Sequence, residues 1–222
     1  MTLKYHRYYA TDVMKRLGRV ERAAANRVLV LAAAREVFLA RGYHGATLEQ
    51  IAEEAGFSKG VVYSQFESKA DLFLALLEAR IEERAAENIR AARSLAGGGL
   101  QALLEYLIRG DQATPGWLLL VIEFRVHAAR DPVLSRRYAA VHARAVEGVA
   151  QALATVIGPD GEEPTVPARR LAELALALST GTTLEWAASP DAFGGPRGAE
   201  QVAHVLESAS WPAAQTAGPG TS

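Results

Sequence analysis

The sequence contains no cysteine. That excludes a disulfide scaffold, a thiolate nucleophile and any Cys-ligated zinc or iron–sulfur site, and it fits a reducing compartment. Long hydrophobic runs are also missing. The apolar stretch Trp117–Ile122 stops at Glu123, and Leu171–Ala188 is broken by Glu173 and Glu185, whereas a membrane span needs about 20 apolar residues. The opening MTLKYHRYYATDVMKRLGRVER lacks the apolar segment of a secretory signal. A soluble, cytoplasmic protein with no membrane partner is the expectation. His127, His142 and His204 lie far apart in sequence, so no metal site is expected. No nucleophile-elbow pattern supports a catalytic serine, and neither enzymatic activity nor a cofactor is expected. The triplet Gly97-Gly98-Gly99 lacks the Lys-Ser/Thr of a phosphate loop and reads as a turn.

What remains is a chain of 222 residues, half of them hydrophobic. It is too apolar for a disordered polymer and long enough to bury about 70% of its unfolded surface. The net charge of -1 hides an asymmetry. Residues 1–69 hold eleven Lys/Arg against seven Asp/Glu, a balance of +4, and the remainder balances to -5. Within residues 1–27 seven basic residues face only Asp12 and Glu21. A basic front on an acidic body suits a polyanionic partner; a solvated N-terminus accounts for the same charges.

Helical signals follow one another along the chain. Val30, Leu31, Ala34, Val37 and Phe38 recur at helical spacing, and Gly42 stands where a left-handed cap is wanted. Thr47 with Gln50 makes a capping box, and Gly56 ends the helix it opens. Ser58 is expected to cap SKGVVYSQF, and Ser68 with Asp71 opens a long helix to about Arg93. Further helices are expected at Leu100–Gln112, from Thr114-Pro115, from Asp131-Pro132 to Gly158-Pro159, from about Val166 to Ala188, and at about Arg197–Ala209. The tail PAAQTAGPGTS is expected to be disordered. No window alternates as a strand would, so the fold class is all-α. The expected division is a basic extension (1–25), a helix-turn-helix domain (26–84), a helical body (85–210) and the tail (211–222).

Thr47–Phe66 is the informative stretch. Two short helices joined by a tight Gly-containing turn, with a helix before and after, make a helix-turn-helix. Ile51, Ala52 and Ala55 face inward, Phe57 fills the turn, and Val62 and Phe66 hold the second helix onto the first. Lys59, Gly60, Val61, Tyr63 and Ser64 are left exposed. Glycine within a helix costs about 1 kcal/mol against Ala, so stability alone does not select this set. Against DNA it is useful: Gly permits close approach, Val meets a thymine methyl, Lys reaches phosphate or guanine, and the Tyr63 hydroxyl bonds a phosphate.

The run TLEQIAEEAGFSKGVVYSQFESKADLF, preceded by AAAREVFLARGYHGAT, resembles the DNA-binding domain of TetR-family transcriptional regulators. The resemblance covers about Arg27–Leu77. It implies that Thr47 contacts phosphate, that Ser58, Lys59, Gly60 and Val61 lie at the major groove, that Tyr63 bonds a phosphate, and that Lys69 clamps one. Ser64-Gln65 departs from the histidines frequent after the tyrosine, so operator preference does not carry over. The extension 1–25 is longer than in many members and is read either as a DNA-reaching arm or as an addition from start-site choice.

The resemblance further implies a homodimer on a palindromic operator, with reading helices about 34–36 Å apart, and an effector that changes that spacing. The effector is expected to be small and largely apolar. Leu103, Leu107, Trp117, Val121, Phe124, Leu176, Thr180, Thr183 and Trp186 are candidate lining residues, with a filled bundle core as the competing reading. Arg125 and His127 are placed to meet a polar end. Leu171, Leu174, Leu178, Val202, Val205 and Leu206 are the candidate dimer face. The expected function is a ligand-responsive repressor. An activator, a ligand-independent regulator, or a small-molecule-binding helical protein with a vestigial motif are the alternatives.

Overall fold

The computed structural model describes residues 18–95, 99–109, 116–157, 166–189 and 195–210. Among them there are nine helices and no strand: α1 (Arg19–Gly45), α2 (Leu48–Ala55), α3 (Lys59–Tyr63), α4 (Lys69–Ser94), α5 (Gly99–Arg109), α6 (Trp117–Ala128), α7 (Pro132–Ile157), α8 (Ala168–Ala188) and α9 (Gly195–Ser210). The expectations for residues 1–17, Gly97-Gly98 of the glycine turn, Thr114-Pro115, most of the 158–167 loop and the tail lie outside the described residues. The chain divides into two compact units between Leu77 and Glu78, inside α4, where the sequence pattern put the boundary after residue 84.

In the N-terminal unit, α1 starts within the expected extension. Glu21 accepts a hydrogen bond from the Gly18 backbone N–H at 2.9 Å, which satisfies one of the donors a helix start leaves open. Gly42 takes φ +69° and breaks the helical path before Gly45, a conformation that costs glycine little. The core gathers Val30, Ala34 and Phe38 from α1, Ile51 and Ala52 from α2, Val62 and Phe66 from the α3 region, and Leu72 and Phe73 from α4, all buried. Phe38 and Phe73 meet edge-to-face at 5.2 Å between centroids, and Tyr43 meets Phe73 the same way at 5.4 Å. Each fully buried side chain of this size contributes about 1.5–3 kcal/mol.

The C-terminal unit buries Ala92, Leu103, Leu104, Ile108, Leu153, Leu171, Ala175, Ala203 and Leu206 in one cluster. α5 packs on α7, α8 and α9, α7 on α8, α8 on α9, and α6 on both α7 and α8. Asp131 caps α7, its Oδ1 accepting from the N–H groups of Val133 and Leu134 at 2.8 and 3.2 Å. Those bonds, the Leu134 one foremost, hold its carboxyl below the usual range. Pro132 begins the helix where its missing N–H costs nothing. Gly148 on α7 lets α4 come close: a Cβ there would stand 3.0 Å from the Ala85 Cβ.

This packing corrects the candidate faces of the body. Leu171 and Leu206, expected on the dimer face, are 1% and 7% exposed within this chain's own core, so they present almost no surface to a second copy. The inward stripe of α8 is Leu171, Ala172, Ala175, Ser179 and Thr182. Leu174 stands around the helix from it at 40% exposure, and Val205 on α9 reaches 64%. Leu178 and Val202 pack partly onto the core. Among the candidate lining residues, Leu103 and Leu107 belong to that same core cluster, and Leu176 packs against it. Trp186 is 52% exposed and is not enclosed within the unit. Trp117, Val121 and Phe124 are buried on α6. Thr180 and Thr183 are partly buried on α8.

Candidate nucleic-acid interface

The short helices α2 and α3 are set by local chemistry. The Thr47 hydroxyl accepts from the Gln50 N–H at 3.2 Å, and the Gln50 side chain accepts from the Thr47 N–H at 3.1 Å. This is the reciprocal capping box the sequence predicts. Gly56 closes α2 in the left-handed region at φ +73°, and the Phe57 N–H reaches back to the Ala52 carbonyl at 2.9 Å. α3 spans only Lys59–Tyr63, shorter than the nine-residue helix expected, and a turn carries the chain to Phe66. Val62 and Phe66 are buried as predicted. Arg27 places its guanidinium 4.7 Å from the centre of the Phe66 ring, a cation–π contact at the back of the motif.

The other side of α3 faces solvent. Lys59, Gly60, Tyr63 and Ser64 are exposed, while Val61 is partly buried rather than fully open. Ser58 occupies the cap position of α3, but its side chain makes no capping bond, so its hydroxyl does not have the structural role expected of it. The Ser64 hydroxyl donates to the Val61 carbonyl at 2.9 Å.

Glu49 is the residue that sequence reasoning missed. It projects from the first turn of α2, where the Tyr63 hydroxyl donates to its Oε1 at 3.0 Å. Lys59 Nζ lies 3.7 Å from the same oxygen. Its own backbone N–H and the Tyr63 hydroxyl, with a smaller contribution from Lys59, hold the Glu49 carboxyl below the usual range. The bond to Glu49 in turn raises the Tyr63 phenol. One carboxylate therefore engages two of the groups assigned to DNA. The only sequence signal was an acidic residue fourteen positions before a tyrosine, a spacing that becomes a contact only when α2 and α3 pack.

Lys69 also differs from expectation. Its ammonium donates to the carbonyls of Tyr43, His44 and Ala46 at 2.7, 3.2 and 2.9 Å, and it sits 4.7 Å from the centre of the Tyr43 ring. An ammonium has three N–H donors, and three carbonyls take them here. Lys69 ties the end of α1 to the start of α4 and holds the connection that leads into Thr47. Burial, and then the charge of Asp71, push the Tyr43 phenol up to about 12. Ser68 and Asp71 complete the start of α4, with the Ser68 hydroxyl donating to Asp71 at 2.6 Å and accepting from the Asp71 N–H at 3.1 Å.

None of the described helices is long and apolar enough to cross a membrane. Among the described residues no group of three or more His, Asp or Glu could hold a metal ion.

Known proteins share this arrangement. Residues 30–76 match the model for bacterial regulatory proteins of the tetR family, and residues 96–210 match that for the C-terminal part of BetI-type transcriptional repressors. The transcriptional activator FasR of Mycolicibacterium smegmatis is 29% identical over 177 residues, 77% of this chain and 74% of that protein. The transcriptional repressor AcnR of Corynebacterium glutamicum is 30% identical over 112 residues, 49% of this chain and 54% of that protein. In three dimensions the chain resembles the regulator FadR of Bacillus subtilis, solved with stearoyl-CoA, at TM-score 0.64 and 17% identity over 82% of this chain and 98% of that one. It also resembles a TetR regulator of Haloarcula marismortui at TM-score 0.63 and 22% identity, over 84% and 97%. With both halves matched and the helix-turn-helix in place, the chain belongs to the TetR family of transcriptional regulators and is a DNA-binding transcription factor, not an enzyme.

Proposed function

We propose that the protein is a homodimeric repressor that reads a palindromic operator with α3 and releases it when a small molecule binds the C-terminal unit. The observation that carries the DNA-reading part is the outer side of α3. Lys59, Gly60, Tyr63 and Ser64 are exposed there, while Val62 and Phe66 fix the helix from behind. On DNA, Lys59 and Gly60 meet the major groove together with Val61, whose part-exposed methyls suit a thymine. A phosphate replaces Glu49 as the acceptor of the Tyr63 hydroxyl. Thr47 offers a further phosphate contact from the start of α2, and Ser58, free of a capping bond, offers its hydroxyl at α3. Lys69 acts at one remove, by holding the carbonyls that lead into Thr47.

The dimer face in this reading centres on Leu174 and Val205, with Leu178 and Val202 at its margin. Effector binding shifts the equilibrium between two dimer states through differential affinity, with a coupling of about 1–3 kcal/mol. α4, whose residues fall in both units, is the element to carry it. A second reading is supported by the relative matched over most of this chain, which is named an activator: the same dimer then promotes transcription from its site.

In-vitro selection from a random duplex library tests the DNA-reading function. A palindromic winner whose binding weakens steeply with salt is the expected result. A folded, dimeric preparation that enriches no sequence would overturn it. Placing the winning site upstream of a reporter then separates the repressor from the activator by the sign of the change.

A further inference from the structure

In the C-terminal unit α6, α7 and α8 bring together polar side chains that satisfy one another poorly. Arg125 on α6 is partly buried. Its Nη1 donates to the Thr180 hydroxyl of α8 at 3.5 Å, at the limit of hydrogen-bond length, and its guanidinium lies 5.7 Å from the centre of the Tyr138 ring of α7. It makes no ion pair among the described residues. Tyr138 packs against the fully buried Phe124 at 6.0 Å, and His142 stacks on Tyr138 at 5.8 Å with the rings 13° from parallel. Neither the Tyr138 hydroxyl nor the His142 ring has a hydrogen-bond partner among the described residues. Burial, and then the Arg125 charge, hold the His142 pKa down, opposed by Glu173. That carboxylate is itself engaged by Arg169 and Arg170 at 3.7 and 3.0 Å.

A charge taken out of water is ordinarily paired. Arginine presents five donors in a planar fork that fits a carboxylate with two parallel bonds. Among the described residues the fork makes a single long hydrogen bond, and a phenol and an imidazole stand beside it with donors to spare. The wall behind them is apolar: Phe124, Val121 and Trp117 are buried on the same helix as Arg125. A few converging polar groups against an apolar wall are the usual make-up of a small-molecule site.

We propose that Arg125, with Tyr138, His142 and Thr180, forms the headgroup site for an organic carboxylate carried on an apolar body. This rests on the effector-responsive reading above and gives that effector a chemical class. The guanidinium fork takes the carboxylate oxygens, and Tyr138 and His142 donate to it from α7. Because Phe124, Val121 and Trp117 are closed off by the unit's own packing, the apolar body displaces part of that packing to lie beside them.

The test is calorimetric titration of the full chain with matched acids and alcohols: octanoate against octan-1-ol, and 4-phenylbutyrate against 4-phenylbutan-1-ol. Each acid is expected to bind at least about tenfold more tightly than its alcohol, the scale of a charge-assisted hydrogen bond. Arg125→Gln is expected to erase that preference, Arg125→Lys to keep part of it, and Tyr138→Phe to reduce it severalfold with alcohol binding unchanged. Should Arg125→Gln fail to fold, the other two variants still decide. Equal binding of acid and alcohol, no binding of either, or an unchanged preference without the guanidinium or the phenol would overturn the site. Release of the selected duplex is measured separately. Arg125-dependent carboxylate binding that leaves DNA binding untouched would uphold the site and overturn the effector reading.

Discussion

The two units of the chain use the same material, helices with one apolar stripe, yet they differ in how tightly sequence fixes what each side chain does. In the N-terminal unit short-range chemistry decides. Thr47 with Gln50, Gly56, and Ser68 with Asp71 set the ends of α2 and α4 through bonds spanning three or four residues. Once those ends are fixed, α3 has only one apolar side to turn inward. In the C-terminal unit helices of up to 26 residues have several plausible inner faces, and partners distant in sequence choose among them. Helix ends are local facts, and helix faces are tertiary ones.

That contrast can be broken most severely in the two cores. Phe38→Ala removes the ring that Phe73 and Tyr43 pack against and is expected to cost about 3–5 kcal/mol; Leu103→Ala in the other core is expected to cost about 2–5 kcal/mol. Denaturant titration followed by separate probes in the two units checks this. Phe38→Ala should abolish duplex binding while leaving the C-terminal transition in place.

The next effect concerns the dimer face proposed above. Val205→Glu puts like charges near one another across a two-fold contact and is expected to weaken dimerisation on the order of a hundredfold without loss of helix. Sedimentation and circular dichroism read both. A dimer that tolerates Val205→Glu and Leu174→Glu would return the interface to some other surface.

On the DNA-reading side, Lys59→Ala is expected to weaken the selected duplex about tenfold and to make the salt dependence shallower by about one unit of slope. Glu49→Ala should act the other way, by a few-fold, because it releases both Lys59 and the Tyr63 hydroxyl from a competing carboxylate. Anisotropy across a salt series resolves the two. The smallest effect separates two hydroxyls that look alike in sequence: Thr47→Ala should cost about 1 kcal/mol as a lost cap, whereas Ser58→Ala, which loses no capping bond, should leave the unfolding midpoint unchanged and alter only duplex binding.

The sequence made most of the helix order legible, along with the capping box at Thr47, the helix start at Ser68 and Asp71, and the buried pair Val62 and Phe66. It misplaced Leu171 and Leu206, which were expected on the dimer face and turn into the core. On α9 the inward positions are Ala199, Ala203 and Leu206, and on α8 Leu171 shares its inward stripe with Ala172 and Ala175. Alanines carry little hydrophobic signal, so which side of each helix turns inward was hard to read, whereas Leu174 and Val205 stay exposed. Lys69 was legible as a cation at the right place, but its three carbonyl partners lie 23 to 26 residues away. Nothing in a linear spacing announces such a cage. Glu49 escaped because acidic residues are not sought at a DNA-reading surface, and its hold on Tyr63 exists only after packing.

In the proposed function the N-terminal unit reads DNA through α3. Amide hydrogen exchange on the chain, with and without the selected duplex at saturating concentration, is the measurement to make. New protection is expected to concentrate in residues 47–66, strongest across Lys59–Tyr63. A bound duplex that leaves those amides unchanged would contradict it.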